Sequence, residues 1–231
     1  MNMSRIITIL ACLVTGAVVL VSVPSLAATT ASDMMATTVP DAQTAAVFVK
    51  DLADTAIKSM VESAIPDEER QRRFRELFTR SFDLPAIGQF VLGRYWRKAT
   101  EQEKAEFTSL FENISVLTWS SRFKDYNGQT LTVDTVHPAD NGELVVETSI
   151  SQPQGQKPVA VSWRLHPAAS GFKVVDLTVE DVSMALTYRS EYGTVIQHAN
   201  GKVEGLLEAL RHKLADLRTL RDTTVAHGVT K

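Results

Sequence analysis

From position 45 onward the apolar residues recur at three- and four-residue intervals, at Ala45, Val49, Leu52, Ala56 and Met60, with Phe48, Ile57 and Val61 flanking them. That period places them on one face of a helix, which must end before Pro66. A second helix is predicted from Asp67, whose carboxylate can cap it, with Phe74, Leu77, Phe78 and Phe82 as its buried stripe amid Arg and Glu. A short helix over 84–92 has Pro85 in its first turn and Gly93 at its end, the usual asymmetry of those two residues. Thr100 with Glu103 forms a capping box that opens a third long helix, expected to run to about Tyr126 and to stop at Asn127-Gly128.

That long helix carries two apolar stripes. Phe107, Leu110, Phe111, Ile114 and Leu117 share one face, whereas Val116, Trp119, Phe123 and Tyr126 fall on nearly the opposite one. A helix apolar on both sides has to be sandwiched between two apolar partners, and one of them could be a ligand.

At Leu131 the period changes to two. Four strands are predicted, over 131–137, 144–152, 159–166 and 172–180, separated by turns at 140–142, 153–158 and 168–171. Turns this short join antiparallel neighbours, so the strands form a meander. Helical spacing returns after Ser183 through Tyr188, Tyr192, Val195 and Ile196, breaks at Asn200-Gly201, and resumes from Val203 to Leu220. Helices, then strands, then helices indicate an α+β domain: a four-stranded antiparallel curved sheet packed against several helices and enclosing an apolar pocket.

The first 27 residues read differently from the rest. Arg5 precedes an almost wholly apolar run from Ile6 to Val23, and Pro24-Ser25-Leu26-Ala27 supplies the small residues of a cleavage site, so 1–27 is expected to be a cleavable secretory signal. Cys12 lies inside the apolar run rather than at its end, which argues against a lipoprotein cysteine; once it leaves with the signal, no disulfide or thiolate chemistry is available. Residues 28–43 read as a flexible leader, 44–222 as one domain, and 223–231 as a C-terminal tail. With 24 Lys and Arg against 27 Asp and Glu, the chain is mildly acidic, a poor match for nucleic acid. The five histidines are scattered without a metal-ligand spacing, and no GxSxG elbow is present, so neither a metal, a cofactor nor an enzymatic activity is expected.

The segment Phe82-Asp83-Leu84-Pro85-Ala86-Ile87-Gly88-Gln89-Phe90-Val91-Leu92-Gly93-Arg94-Tyr95-Trp96-Arg97-Lys98-Ala99-Thr100 resembles the signature of the MlaC family, also called the toluene-tolerance auxiliary transport family. Val174-Val175-Asp176-Leu177, Val182-Ser183-Met184, Tyr188-Arg189-Ser190-Glu191-Tyr192 and Gly205-Leu206-Leu207 resemble its C-terminal block, so the similarity spans roughly Ala45 to Leu214. The resemblance implies a periplasmic carrier that shuttles phospholipid between an outer-membrane lipid-transfer complex and an inner-membrane ABC transporter and maintains outer-membrane lipid asymmetry. Within the family, Phe82-Asp83-Leu84-Pro85 and the stretch from Ser183 to Tyr192 are most similar to the hopanoid-associated HpnM branch, which makes a hopanoid the alternative cargo. A periplasmic chaperone or adaptor that carries no lipid is a further alternative. Asp181 stands where a glycine is common in the family.

The lipid-binding candidates are the inward-facing sheet residues Val133, Val146, Ile150, Val161, Trp163 and Leu165, together with Trp119, Phe123 and Tyr126 on the second helical stripe. A core and a pocket wall have the same composition, so each could equally be ordinary packing. Arg94 and Arg97 could approach a lipid phosphate, or they could pair with Glu101 or Glu103 while Tyr95 and Trp96 anchor the helices.

Overall fold

Each apolar stripe finds a buried partner, and two separate cores result. A computed structural model describes residues 42–61 and 65–228. The expected signal, nearly all of the leader and the last three residues of the tail lie outside the described residues. Helix α1 (Ala42–Met60) buries Ala45, Val49, Leu52 and Met60. In helix α2 (Asp67–Ser81) the cap position belongs to Pro66, not Asp67. Asp67 sits one residue inside, where its carboxylate accepts from Arg70 at 2.8 Å and from Lys124 at 2.5 Å and opposes the positive end of the helix dipole.

Phe82 and Asp83 link α2 to α3 (Leu84–Leu92) and pair with Val174, the Asp83 amide donating to its carbonyl at 3.0 Å. The Asp83 carboxylate caps α3 through the Ala86 amide at 2.9 Å and reaches His166 at 3.0 Å. Gly93 ends this helix at φ 51, and the Arg189 guanidinium lies 3.0 Å from where a Cβ would stand. Helix α4 (Glu101–Ser120) opens on the expected capping box. It ends earlier than expected: residues 121–125 tighten into a 3₁₀ turn, and the Ser121 hydroxyl donates to the Thr118 carbonyl at 3.0 Å.

The sheet contains β1 (Leu131–Pro138), β2 (Leu144–Ile150), β3 (Val159–Ala168), β4 (Gly171–Val179) and β5 (Val182–Ser183), antiparallel in chain order. The expected four strands are therefore five. Glu180 and Asp181, at φ 45 and 62, form a two-residue turn that folds Val182 back onto Val179 and Ser183 onto Thr178. Helices α5 (Met184–His198) and α6 (Val203–Gly228) close the chain; α6 runs through six of the nine residues read as a tail.

Two bulges change which residues face inward. In β1 the pairing skips Asp134, and in β4 it skips Val175, so the inward set of β4 passes from Phe172 and Val174 to Leu177 and Val179. One core joins α1 and α2 to one end of the sheet through Leu77, Leu144, Val146, Leu165, Phe172 and Val174. The other is helical and unites Ile87, Val91, Phe107, Phe111, Tyr192, Ile196 and Leu207 from α3, α4, α5 and α6.

Candidate functional site

Between the two cores lies a cavity of about 580 Å³, within the 300–1,000 Å³ range of small-molecule sites. One wall is aromatic: Phe74, Phe78 and Phe82 of the α2 stripe, with the Phe78 and Phe82 rings 4.7 Å apart. Leu52, Ala53 and Ala56 of α1 and Ile87 of α3 extend that wall. The sheet supplies Ile150, Val161, Trp163, Leu177 and Val179, and α5 supplies Met184, Ala185 and Tyr188. From α4 and the turn that follows come Phe111, Ser115, Trp119, Arg122, Phe123, Asp125 and Tyr126. Arg122 and Asp125 are exposed, which marks the cavity mouth, whereas Phe111 and Ser115 are buried.

Six of the nine lipid-binding candidates line this space: Trp119, Phe123, Tyr126, Ile150, Val161 and Trp163. The other three do not. Val146 and Leu165 are fully enclosed in the sheet core, and Val133 packs against that core. The division runs along the strands: the paired Leu144 and Leu165 at one end of β2 and β3 are enclosed, Ile150 and Val161 toward the other end line the cavity, and Val146 and Trp163 pair at the boundary. The helical stripe also shifts by a few residues. Phe111, Ser115, Trp119, Arg122 and Tyr126, spaced three and four apart, line the cavity together with Phe123 and Asp125, while Val116 is buried elsewhere. Leu177 and Val179 were hidden from sequence reading by the bulge at Val175. The α2 phenylalanines were visible as a stripe, but nothing in their spacing separated a core from a wall.

Two polar groups of the sheet that reach the lining are engaged. The Trp163 indole donates to the Thr148 hydroxyl at 3.1 Å, and that hydroxyl donates to the Val161 carbonyl at 2.7 Å. The Asp176 carboxylate accepts from the Ser183 hydroxyl at 2.6 Å and from the Ala185 amide at 2.9 Å. Tyr188 stacks on Tyr192 at 5.6 Å and meets Phe111 edge-on at 5.6 Å. Burial, aided by the nearby Glu191 charge, pushes the Tyr188 hydroxyl up to about 12, and burial raises Tyr192 as well. Both phenols therefore stay neutral at physiological pH.

Arg94 and Arg97 are exposed and not among the lining residues. Arg94 donates to the Tyr95 hydroxyl at 2.7 Å and lies over its ring; Glu101 pairs instead with Lys104, and Glu103 is held in the capping box. Tyr95 and Trp96 join the helical core as anchors. Arg189 is likewise structural, donating to the Phe90 carbonyl at 3.1 Å. On the basic helix α2, Arg72 and Arg73 pair with Glu69, which they hold at about 2, and Arg75 reaches Glu112 and Asn113 on α4. Among the described residues no cluster of three or more His, Cys, Asp or Glu is placed to hold a metal, and no helix is long and apolar enough to cross a membrane.

Residues 50–212 match the family described as MlaC protein. The fold is similar to that of a phospholipid-binding protein from Ralstonia solanacearum whose structure holds a phospholipid. The TM-score is 0.68 at 21% sequence identity, covering 75% of this chain and 98% of that one.

Proposed function

The chain belongs to the MlaC family, and we propose that it is a periplasmic lipid carrier that takes phospholipid acyl chains into the cavity between its two cores. It receives and delivers them between an outer-membrane lipid-transfer complex and an inner-membrane ABC transporter, and its lipid-binding residues are Trp119, Phe123, Tyr126, Ile150, Val161 and Trp163. The observation that carries this reading is the cavity itself: about 580 Å³, walled by aromatic and aliphatic side chains from helices and sheet, with the exposed Arg122 and Asp125 at its mouth and the one further carboxylate, Asp176, occupied by Ser183 and Ala185. The bound phospholipid in the Ralstonia solanacearum protein of similar fold supports the same assignment.

The energetics suit transfer rather than storage. Burying a methylene is worth about 0.8 kcal/mol, so a chain of roughly 14 methylenes gains about 11 kcal/mol. A bilayer offers nearly the same, and the carrier has only to match it for a partner to tip the exchange in either direction.

Native mass spectrometry with organic extraction, on protein purified from its own periplasm, tests this. Diacyl phospholipid at near-unit stoichiometry, without turnover, is the expected result. A hopanoid would move the cargo to a polycyclic lipid, and a protein that stays empty when offered either would make it an adaptor.

A further inference from the structure

Two hydroxyls break the apolar lining well inside the mouth, and neither has a partner among the described residues. Ser115 is 6% exposed and lines the cavity, as does the half-buried Tyr188. Helical hydroxyls elsewhere in this chain bond back to the carbonyl four residues earlier, as Thr108, Thr187 and Thr194 do, at 2.8–2.9 Å. Ser115 does not. Among the described residues every sealed side-chain nitrogen or oxygen has a partner, so these two hydroxyls are open to the cavity rather than lost in the core. Tyr188 meets Phe111 edge-on, and Ser115 lies one turn beyond Phe111 on the same helix face, so the two hydroxyls border one region.

Arg122 stands on the same line at the mouth, exposed and without an ion pair among the described residues, whereas the neighbouring Lys124 is held by Asp67. Seven residues separate Ser115 from Arg122, a rise of roughly 10 Å along the helix and the turn that follows. Read inward, the stripe therefore offers a cation, then the Trp119 ring, then hydroxyl donors, then Phe111. A polar donor facing an apolar space is costly unless a ligand acceptor satisfies it.

We propose that Arg122 holds the phosphate of the cargo while the Ser115 and Tyr188 hydroxyls donate hydrogen bonds to its acyl ester carbonyls, so that the carrier selects ester-linked diacyl glycerophospholipids. This rests on the carrier reading and narrows it. An ether-linked lipid has the same headgroup and chains but no carbonyl acceptors, and a hydrocarbon polycycle has none in its body.

The test is competitive loading of the delipidated full chain from vesicles containing equal amounts of diester and diether phosphatidylethanolamine of matched chain length, with the protein-bound lipid counted by mass spectrometry. The wild type is expected to favour the diester about fivefold, the factor for one net hydrogen bond. S115A and Y188F, which delete only an oxygen, should reduce that preference toward one by lowering diester loading while diether loading persists. R122Q should weaken loading of both lipids by about threefold and leave their ratio unchanged. Equal loading of the two lipids by the wild type, or a ratio untouched in both hydroxyl variants, overturns the ester contact. Unaltered loading by R122Q overturns the phosphate contact. Uptake of neither lipid would overturn the carrier reading itself, and with it this proposal.

Discussion

Asp176 of β4, at the edge of the cavity lining, accepts a hydrogen bond from the Ser183 hydroxyl at 2.6 Å, and the same hydroxyl accepts from the Leu186 amide at 3.0 Å. With the Ala185 amide also donating to Asp176, one carboxylate ties the sheet to the first turn of α5, the helix that carries Tyr188 to the cavity. Asp176→Ala is expected to cost about 2 kcal/mol, the worth of a charge-assisted cap, and to lower lipid loading because α5 loses its seat. Urea denaturation alongside lipid extraction measures both, and a variant as stable as wild type would show that the cap does not hold the helix.

Helices α5 and α6 meet at Gly205, where an added Cβ would stand 2.2 Å from that of Ala199. Gly205→Ala should destabilise by about 2–3 kcal/mol through overpacking. Ala199→Gly in the same molecule should recover most of the loss, because it removes the other half of the clash. A thermal-melting cycle over the two single variants and the double variant decides this; additive losses would rule out direct contact.

Leu165 and Trp119 were both expected to touch lipid, and the structure separates them. Leu165→Ala opens a void in a fully enclosed core and should cost about 2–5 kcal/mol, yet leave lipid stoichiometry unchanged in the fraction that folds. Trp119→Ala, Trp163→Arg and Ile150→Arg alter the cavity wall and should reduce bound lipid. Comparing lipid content per folded molecule distinguishes the two kinds of site, and normal loading by a folded Trp163→Arg protein would remove that residue from the wall.

Alkaline pH should expose the buried phenols. A tyrosine ionises near 10 when unfolded, but Tyr188 is held up to about 12, so the folded state keeps a proton that the unfolded state has lost. Stability from this source is constant below pH 10 and falls as the pH rises from 10 toward 12. Tyr188→Phe, with no proton to lose, should flatten that fall, and Tyr192 should account for the remainder. Melting temperatures across this window test it; an unaltered slope in the variant would assign the alkaline loss to other groups.

Much of the fold could be read in the chain because the signals were local. A capping box at Thr100 and Glu103, Pro85 and Gly93 bracketing α3, and alternation in the strands each depend on residues a few positions apart. The misreadings arose where a local signal met a competitor: Pro66 displaced Asp67 from the cap position, and Ser121 helped turn the end of α4 into a tighter turn. Val182 and Ser183 are too short a run to announce a strand, and only their pairing with β4 makes them one.

The sequence by itself determined the order of the helices and the four longer strands, the meander and, up to the bulges, the faces that turn inward, because periods of 3.6 and 2 are properties of a single element. Only the tertiary structure decided which part of each inward face is core and which is cavity. Val146 and Trp163 lie opposite each other on the same face, yet Val146 is enclosed and Trp163 lines the open space. The difference comes from where α1 and α2 come to rest across the sheet and from a bulge at Val175, and both are contacts between segments distant in the chain.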